Sequence, residues 1–181
     1  DMDAPRMRPE YVDDIFNVPA SLAIVAARAH DDAVKETDMT AKDKAKGDTA
    51  RPLPTVTVPT ELWKNEPDDH DYPAALSYLG LCIDPERAKH LVEKLRTAPI
   101  VMHPAKDLLR SSRLELLGLD DPSVKRDLVK VVLGDKLSPV LVLRGDLEKG
   151  QPSVIADGYH RMCASYHLSE NELIPCRITD R

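Results

Sequence analysis

Ser138-Pro139-Val140-Leu141-Val142-Leu143-Arg144-Gly145 and, after a turn, Ser153-Val154-Ile155-Ala156-Asp157-Gly158-Tyr159-His160-Arg161 decide how this chain folds. The first stretch holds a short apolar run between a proline and a glycine, which reads as a strand over Pro139–Leu143. Gly145 to Pro152 reads as a turn, and Ser153–Ala156 as a second strand. Asp157-Gly158 closes that strand, and a helix follows from Tyr159 to about Leu168. Ile174–Ile178 is expected as a last strand, with Pro175 near its start.

A strand that ends in Asp-Gly and enters a helix is a ready anion site. The first N–H groups of a helix have no internal acceptor and carry the positive end of its dipole. A phosphate satisfies both. Gly158 has no Cβ to hold a ligand off the backbone. Arg161, in the first turn, can fork onto phosphate oxygens, and His160 is a second donor. Asp157 has two roles open to it: capping the helix, or holding a Mg²⁺ that bridges phosphates. The plainer reading is that Asp157 only caps the helix and Arg161 makes a surface ion pair.

Upstream of this core, Pro73 opens an expected helix to about Leu79, behind an acidic loop from Glu66 to Tyr72. Asp84-Pro85-Glu86 combines an N-cap with a first-turn proline and starts a helix to about Arg96, with Ala88, Leu91, Val92 and Leu95 on one face. Ile100–Met102 reads as a buried strand, and Pro104 opens a helix carrying Lys106 and Asp107. Asp121-Pro122 repeats the cap for a helix ending near Gly134, the expected C-terminal cap. Thr55–Val58 is β-prone.

Residues 1–54 differ from the rest. A polar stretch from His30 to Arg51 has few apolar residues to offset the entropy of ordering, so 1–54 is expected as a partly flexible extension, and 55–181 as the domain. Ser21–Arg28 is a candidate short helix through which a protein partner could dock. The apolar run Ala20–Ala27 is too short to span a bilayer. Three cysteines, far apart, give no disulfide framework, and a reduced cytoplasmic setting is expected. The net charge of −6 speaks against broad nucleic-acid binding, which draws on Lys and Arg. It leaves room for a local basic pocket.

S-P-V-L-V-L-R-G, V-I-A-D-G-Y-H-R-M-C-A-S-Y and I-P-C-R-I together resemble the ParB/sulfiredoxin superfamily, over about residues 99–179. The resemblance implies a small α+β domain, a mixed sheet with packed helices, whose Gly-x-His-Arg turn contacts the phosphates of ATP or CTP. By position, Gly158, His160 and Arg161 would bind phosphates, Ser138 and Pro139 would line the pocket near base or ribose, and Lys106 and Asp107 would face it. Two departures narrow the expectation. Tyr159 stands where sulfiredoxins carry their reactive Cys, so sulfinic acid reduction is not expected. His160 replaces the acidic residue of chromosome-partitioning members, and no helix-turn-helix follows before Arg181.

The leading expectation is therefore a nucleotide-binding domain with NTPase or phosphotransferase activity, with Asp157 and Asp107 as candidate catalytic acids and Mg²⁺ as the bridging ion. A non-enzymatic nucleotide-sensing or protein-interaction module is the alternative, and a DNA-binding or nuclease accessory protein a weaker one. Asp68-Asp69-His70-Asp71 has ligand chemistry but reads as a solvated loop, because four consecutive residues rarely converge on one ion. Glu61, Glu66 and Asp71 become general-base candidates only if that loop folds over the turn. His103 is a strand-end residue that would line the site or merely close the strand. Cys163 reads as a small core residue. His160 and His167, two helical turns apart with no third ligand, do not make a zinc site. Trp63, the single tryptophan, is expected to pack the N-terminal segment onto the core.

Overall fold

Asp84 and Asp121 start their helices as their sequence positions demand. In the computed structural model, which describes residues 61–181, Asp84 accepts from the backbone N–H of Glu86 and Arg87 at 3.1 and 3.2 Å, and α2 runs Pro85–Thr97. Asp121 accepts from Ser123 and Val124 at 2.9 and 3.0 Å, and α4 runs Pro122–Val132. Each side chain satisfies donors that the first turn leaves open, and each following proline has no N–H to waste. Helix α4 ends at Gly134, whose φ of +86° lets Asp135 N–H reach Lys130 O at 2.9 Å and Gly134 N–H reach Val131 O at 3.0 Å. This is the paired C-terminal lock that favours glycine.

Helix α1, Asp71–Cys82, begins two residues before the expected Pro73 and passes Gly80. A proline at the third helical position costs nothing, because that N–H has no intrahelical acceptor in any case. The remaining elements are β1 (Ile100–Pro104), α3 (Ala105–Ser112), β2 (Val140–Leu143), β3 (Val154–Asp157), α5 (Tyr159–Leu168) and β4 (Leu173–Thr179). The expectations for residues 1–54 and for Thr55–Val58 lie outside the described residues.

The four strands form one mixed sheet in the order β1-β4-β2-β3. β1 and β4 are antiparallel, as are β2 and β3, while β2 and β4 run parallel with Val140 opposite Cys176. β2 is central, and all four of its residues are buried. Its side chains alternate between two cores. Val140 and Val142 join Leu108 of α3, Leu128 of α4, and Met162 and Cys163 of α5. Leu141 and Leu143 join Leu79 of α1 and Leu91 and Leu95 of α2. Helices therefore cover both faces, which is why β2 reads as an unbroken apolar run. The fold is a small α+β domain, as the sequence implies. Trp63 packs on the described core, bridging to Leu137 beside Leu62 and Val131. Among the described residues no helix is long and apolar enough to cross a membrane.

Candidate functional site

Asp157 ends β3 and Gly158 opens α5 with φ +98°. A Cβ at position 158 would lie 2.9 Å from Val140 Cγ2 and 3.1 Å from Arg161 Nη2. Glycine is thus required twice, by the left-handed backbone and by the approach of β2 and the Arg161 head group. Among the described residues no side chain caps α5. Asp157 does not cap it as one expected role had it, because its Oδ2 instead accepts from Arg161 Nη2 at 2.6 Å.

Arg161 is the centre of a cluster drawn from three parts of the chain. Its Nη1 donates to Asp71 Oδ1 at 3.2 Å, and its Nη2 also reaches the Pro139 carbonyl at 3.5 Å. The Asp71 side chain is 1% exposed and the Arg161 side chain 15%. Asp71 Oδ2 accepts from Ser138 Oγ and, at 3.0 Å, from Asp68 N–H, which also donates to Ser138 Oγ at 2.9 Å. This ion pair is far from the exposed one of the plainer reading. It ties the acidic loop before α1 to the start of β2 and to the first turn of α5. Burial pushes the Asp157 carboxyl above its ordinary range. Arg161 pulls it back, and the neighbouring Asp71 carboxylate pushes it further up.

Above Arg161 lies a cavity of about 250 Å³ lined by Lys64, Asp68, His70, Lys130, Asp135, Lys136, Leu137 and Ser138. Its wall carries more basic than acidic groups in a chain of net charge −6. The lysines have partners: Lys64 bridges Asp68 at 2.8 Å, Lys130 bridges the buried Asp127 at 3.1 Å, and Lys136 bridges Glu61. Lys64 holds the Asp68 carboxyl below its usual range.

Of the residues singled out in the sequence, Gly158, Arg161, Asp157, Ser138 and Pro139 come together. His160 is exposed and stacks obliquely on Tyr159, with ring centroids 5.7 Å apart, on the side of Asp121. Lys106 and Asp107 do not join the cluster. Lys106 bonds Asn171 and Glu170 beyond the far end of α5, about 15 Å along the helix from Gly158. Asp107 pairs with Arg110 at 2.9 Å on the exposed side of α3. Of the conditional bases, Glu61 and Glu66 pair with Lys136 and Arg177, and only Asp71 folds over the turn. His103 pairs with Ile174 within the sheet. His167 bonds the Leu117 carbonyl at 2.7 Å.

Sequence reasoning missed Lys64, Lys130 and Lys136 as cavity walls, and the clamp of Asp71 on Arg161. Ninety positions separate Asp71 from Arg161, and no local pattern signals such a pairing. Asp157 does not fit as a protein-held Mg²⁺ ligand in this arrangement, since the Arg161 guanidinium occupies the cationic place beside its carboxylate. Among the described residues no group of three or more His, Cys, Asp or Glu side chains could hold a metal ion.

No protein-family model matches the chain, and neither a curated protein nor a solved structure is significantly similar to it.

Proposed function

We propose that this domain binds a nucleotide through its phosphates at the first turn of α5, in the manner that the ParB/sulfiredoxin-like turn Asp157–Arg161 implies. One observation carries the reading. Arg161, at an uncapped helix start, forms the floor of a cavity walled by Lys64, His70, Lys130 and Lys136. A guanidinium and lysines converging on one cavity are what a phosphate chain asks of a protein. At about 250 Å³ the cavity falls below the usual range for whole-ligand pockets of roughly 300–1,000 Å³. It suits phosphates, with the ribose and base of ATP or CTP left outside it.

If the nucleotide is turned over, as an NTPase or phosphotransferase would do, the candidate acid beside Arg161 is Asp157, whose carboxyl burial raises above its ordinary range. Arg161 and the helix N-terminus would stabilise charge on the transferred phosphoryl. Any Mg²⁺ would travel with the phosphates. A second reading, a non-enzymatic nucleotide sensor, is favoured by the clamp itself: filling the site would pull Arg161 from Asp71 and so disturb the loop before α1.

The test is a calorimetric titration of the full chain with ATP, CTP, GTP and ADP, with and without Mg²⁺, with phosphate release followed in parallel. Saturable binding that Arg161→Ala weakens at least about tenfold is expected. Binding unchanged in that variant would remove Arg161 from the site. Binding without release would favour the sensor.

A further inference from the structure

Arg161 lines the cavity above it, but both of its Nη groups are already engaged by carboxylates. One Nη holds Asp71 and the other holds Asp157, so two carboxylates answer one guanidinium. Among the described residues the Nε of Arg161 is buried with no partner. The two acids differ in how they are carried. Asp157 lies four residues from Arg161 and moves with the same turn. Asp71 arrives from the start of α1, ninety positions away, and is fixed there by Ser138 Oγ and Asp68 N–H. An anion entering past Lys64, His70, Lys130 and Lys136 reaches Arg161 on the cavity floor, and to take over its Nη1 it must compete with Asp71.

We propose that Asp71 sets the anion selectivity of this site, as an internal carboxylate that a polyphosphate displaces and a simple monoanion does not. The inference rests on the phosphate reading above and extends it to a ligand class. A monoanion would only exchange one carboxylate-like charge for another, while leaving Asp71 buried without its cation, a costly outcome. A chain of phosphates forks onto Arg161 and reaches the cavity lysines as well. It gains several charge-assisted bonds for the one it breaks. Ser138 is then a positioning residue, since it holds Asp71 in the blocking place. The same chemistry is offered by a nucleoside triphosphate and by inorganic polyphosphate, and the nucleotide titration separates the two.

The experiment measures binding of inorganic tripolyphosphate and inorganic phosphate to the full chain, its Asp71→Asn and Ser138→Ala variants, and Arg161→Ala. The native protein is expected to prefer tripolyphosphate. Asp71→Asn should tighten phosphate about tenfold or more and narrow that preference, Ser138→Ala should shift it the same way to a smaller extent, and Arg161→Ala should lose both anions. If Asp71→Asn weakens both anions or leaves their ratio alone, Asp71 orients Arg161 or is indifferent to the ligand. The inference then falls, while the phosphate reading survives on native binding. If neither native protein nor Asp71→Asn binds either anion, both fall together. Circular dichroism reports whether Asp71→Asn folds. Should it not, the direction of the Ser138→Ala shift decides alone.

Discussion

At the scale of single residues, Asp71 and Asp157 share the Arg161 guanidinium. Gly158 announces itself, because the strand-to-helix turn needs a residue free to adopt positive φ, and Arg161 reads as a fork of donors that the fold answers with two carboxylates. Asp71 was visible only as a conditional base within an acidic loop, since its importance comes from a contact across ninety positions. The clamp has a measurable consequence. Burial and the Asp71 carboxylate together outweigh Arg161 and hold the Asp157 carboxyl above its ordinary 3.8. Above 3.8 the unfolded chain therefore gives up this proton before the native state does. In that window the native state binds more protons, so its stability falls as pH rises. Asp68, Asp121 and Asp146 have lowered carboxyls and act in the opposite sense, losing stability as pH falls through their native values. The Asp157 contribution must be isolated by difference. Urea unfolding of the native protein and of Asp157→Asn across mildly acidic pH should show the native protein losing ground to the variant as pH rises from 3.8, with the difference levelling above the native Asp157 value. A difference that is flat, or that grows as pH falls, would contradict a raised Asp157.

At the scale of elements, most of the fold was readable because its signals are local and redundant. Asp84-Pro85 and Asp121-Pro122 supply cap and first-turn proline together, and both helices start where that chemistry places them. Helix α1 was harder to delimit. No side chain caps its start, and a proline in the first turn marks a helix without fixing its first residue. The strand β2 shows why Val140–Leu143 outweighs every other signal. It feeds both cores with buried side chains at all four positions, Leu141 and Leu143 toward α1 and α2 and Val140 and Val142 toward α3, α4 and α5, while β3 adds Ile155 to one core and Ala156 to the other. Truncating it leaves a cavity that rigid neighbours on either side cannot close. Leu141, 0% exposed, should lose about 2–5 kcal/mol on substitution by alanine. Leu147, in the turn after β2 and 92% exposed, should change by less than about 0.5 kcal/mol. Urea midpoints at constant slope measure both. Equal losses at the two positions would mean that β2 is not the shared wall of two cores.

At the scale of the whole molecule, the three cysteines report on how the layers close over one another. Cys163 lies on α5 and Cys176 on β4, both in the core between the sheet and helices α3, α4 and α5, and both are 0% exposed. Burial pushes the Cys163 thiol up and the Cys176 thiol up to about 12. A thiolate is the reactive form, so each is protected twice, by access and by ionisation. This places Cys163, one turn after Tyr159, as packing for the turn, in keeping with the small core residue read from the sequence. Cys82 sits at the exposed end of α1 and is free. A thiol reagent such as Ellman's should therefore modify one cysteine per native chain rapidly at pH 8, and Cys82→Ser should abolish that phase. The other two should react only at the rate at which the layer opens, and a tight phosphate ligand at the start of α5 should slow them further, because binding to the native state raises the free energy of opening by mass action. Rapid reaction of Cys163 in the native chain would mean that α5 lifts from the sheet. The Gly158–Arg161 turn would then be a moving part, and any ligand proposed for it would have to bear the cost of ordering it.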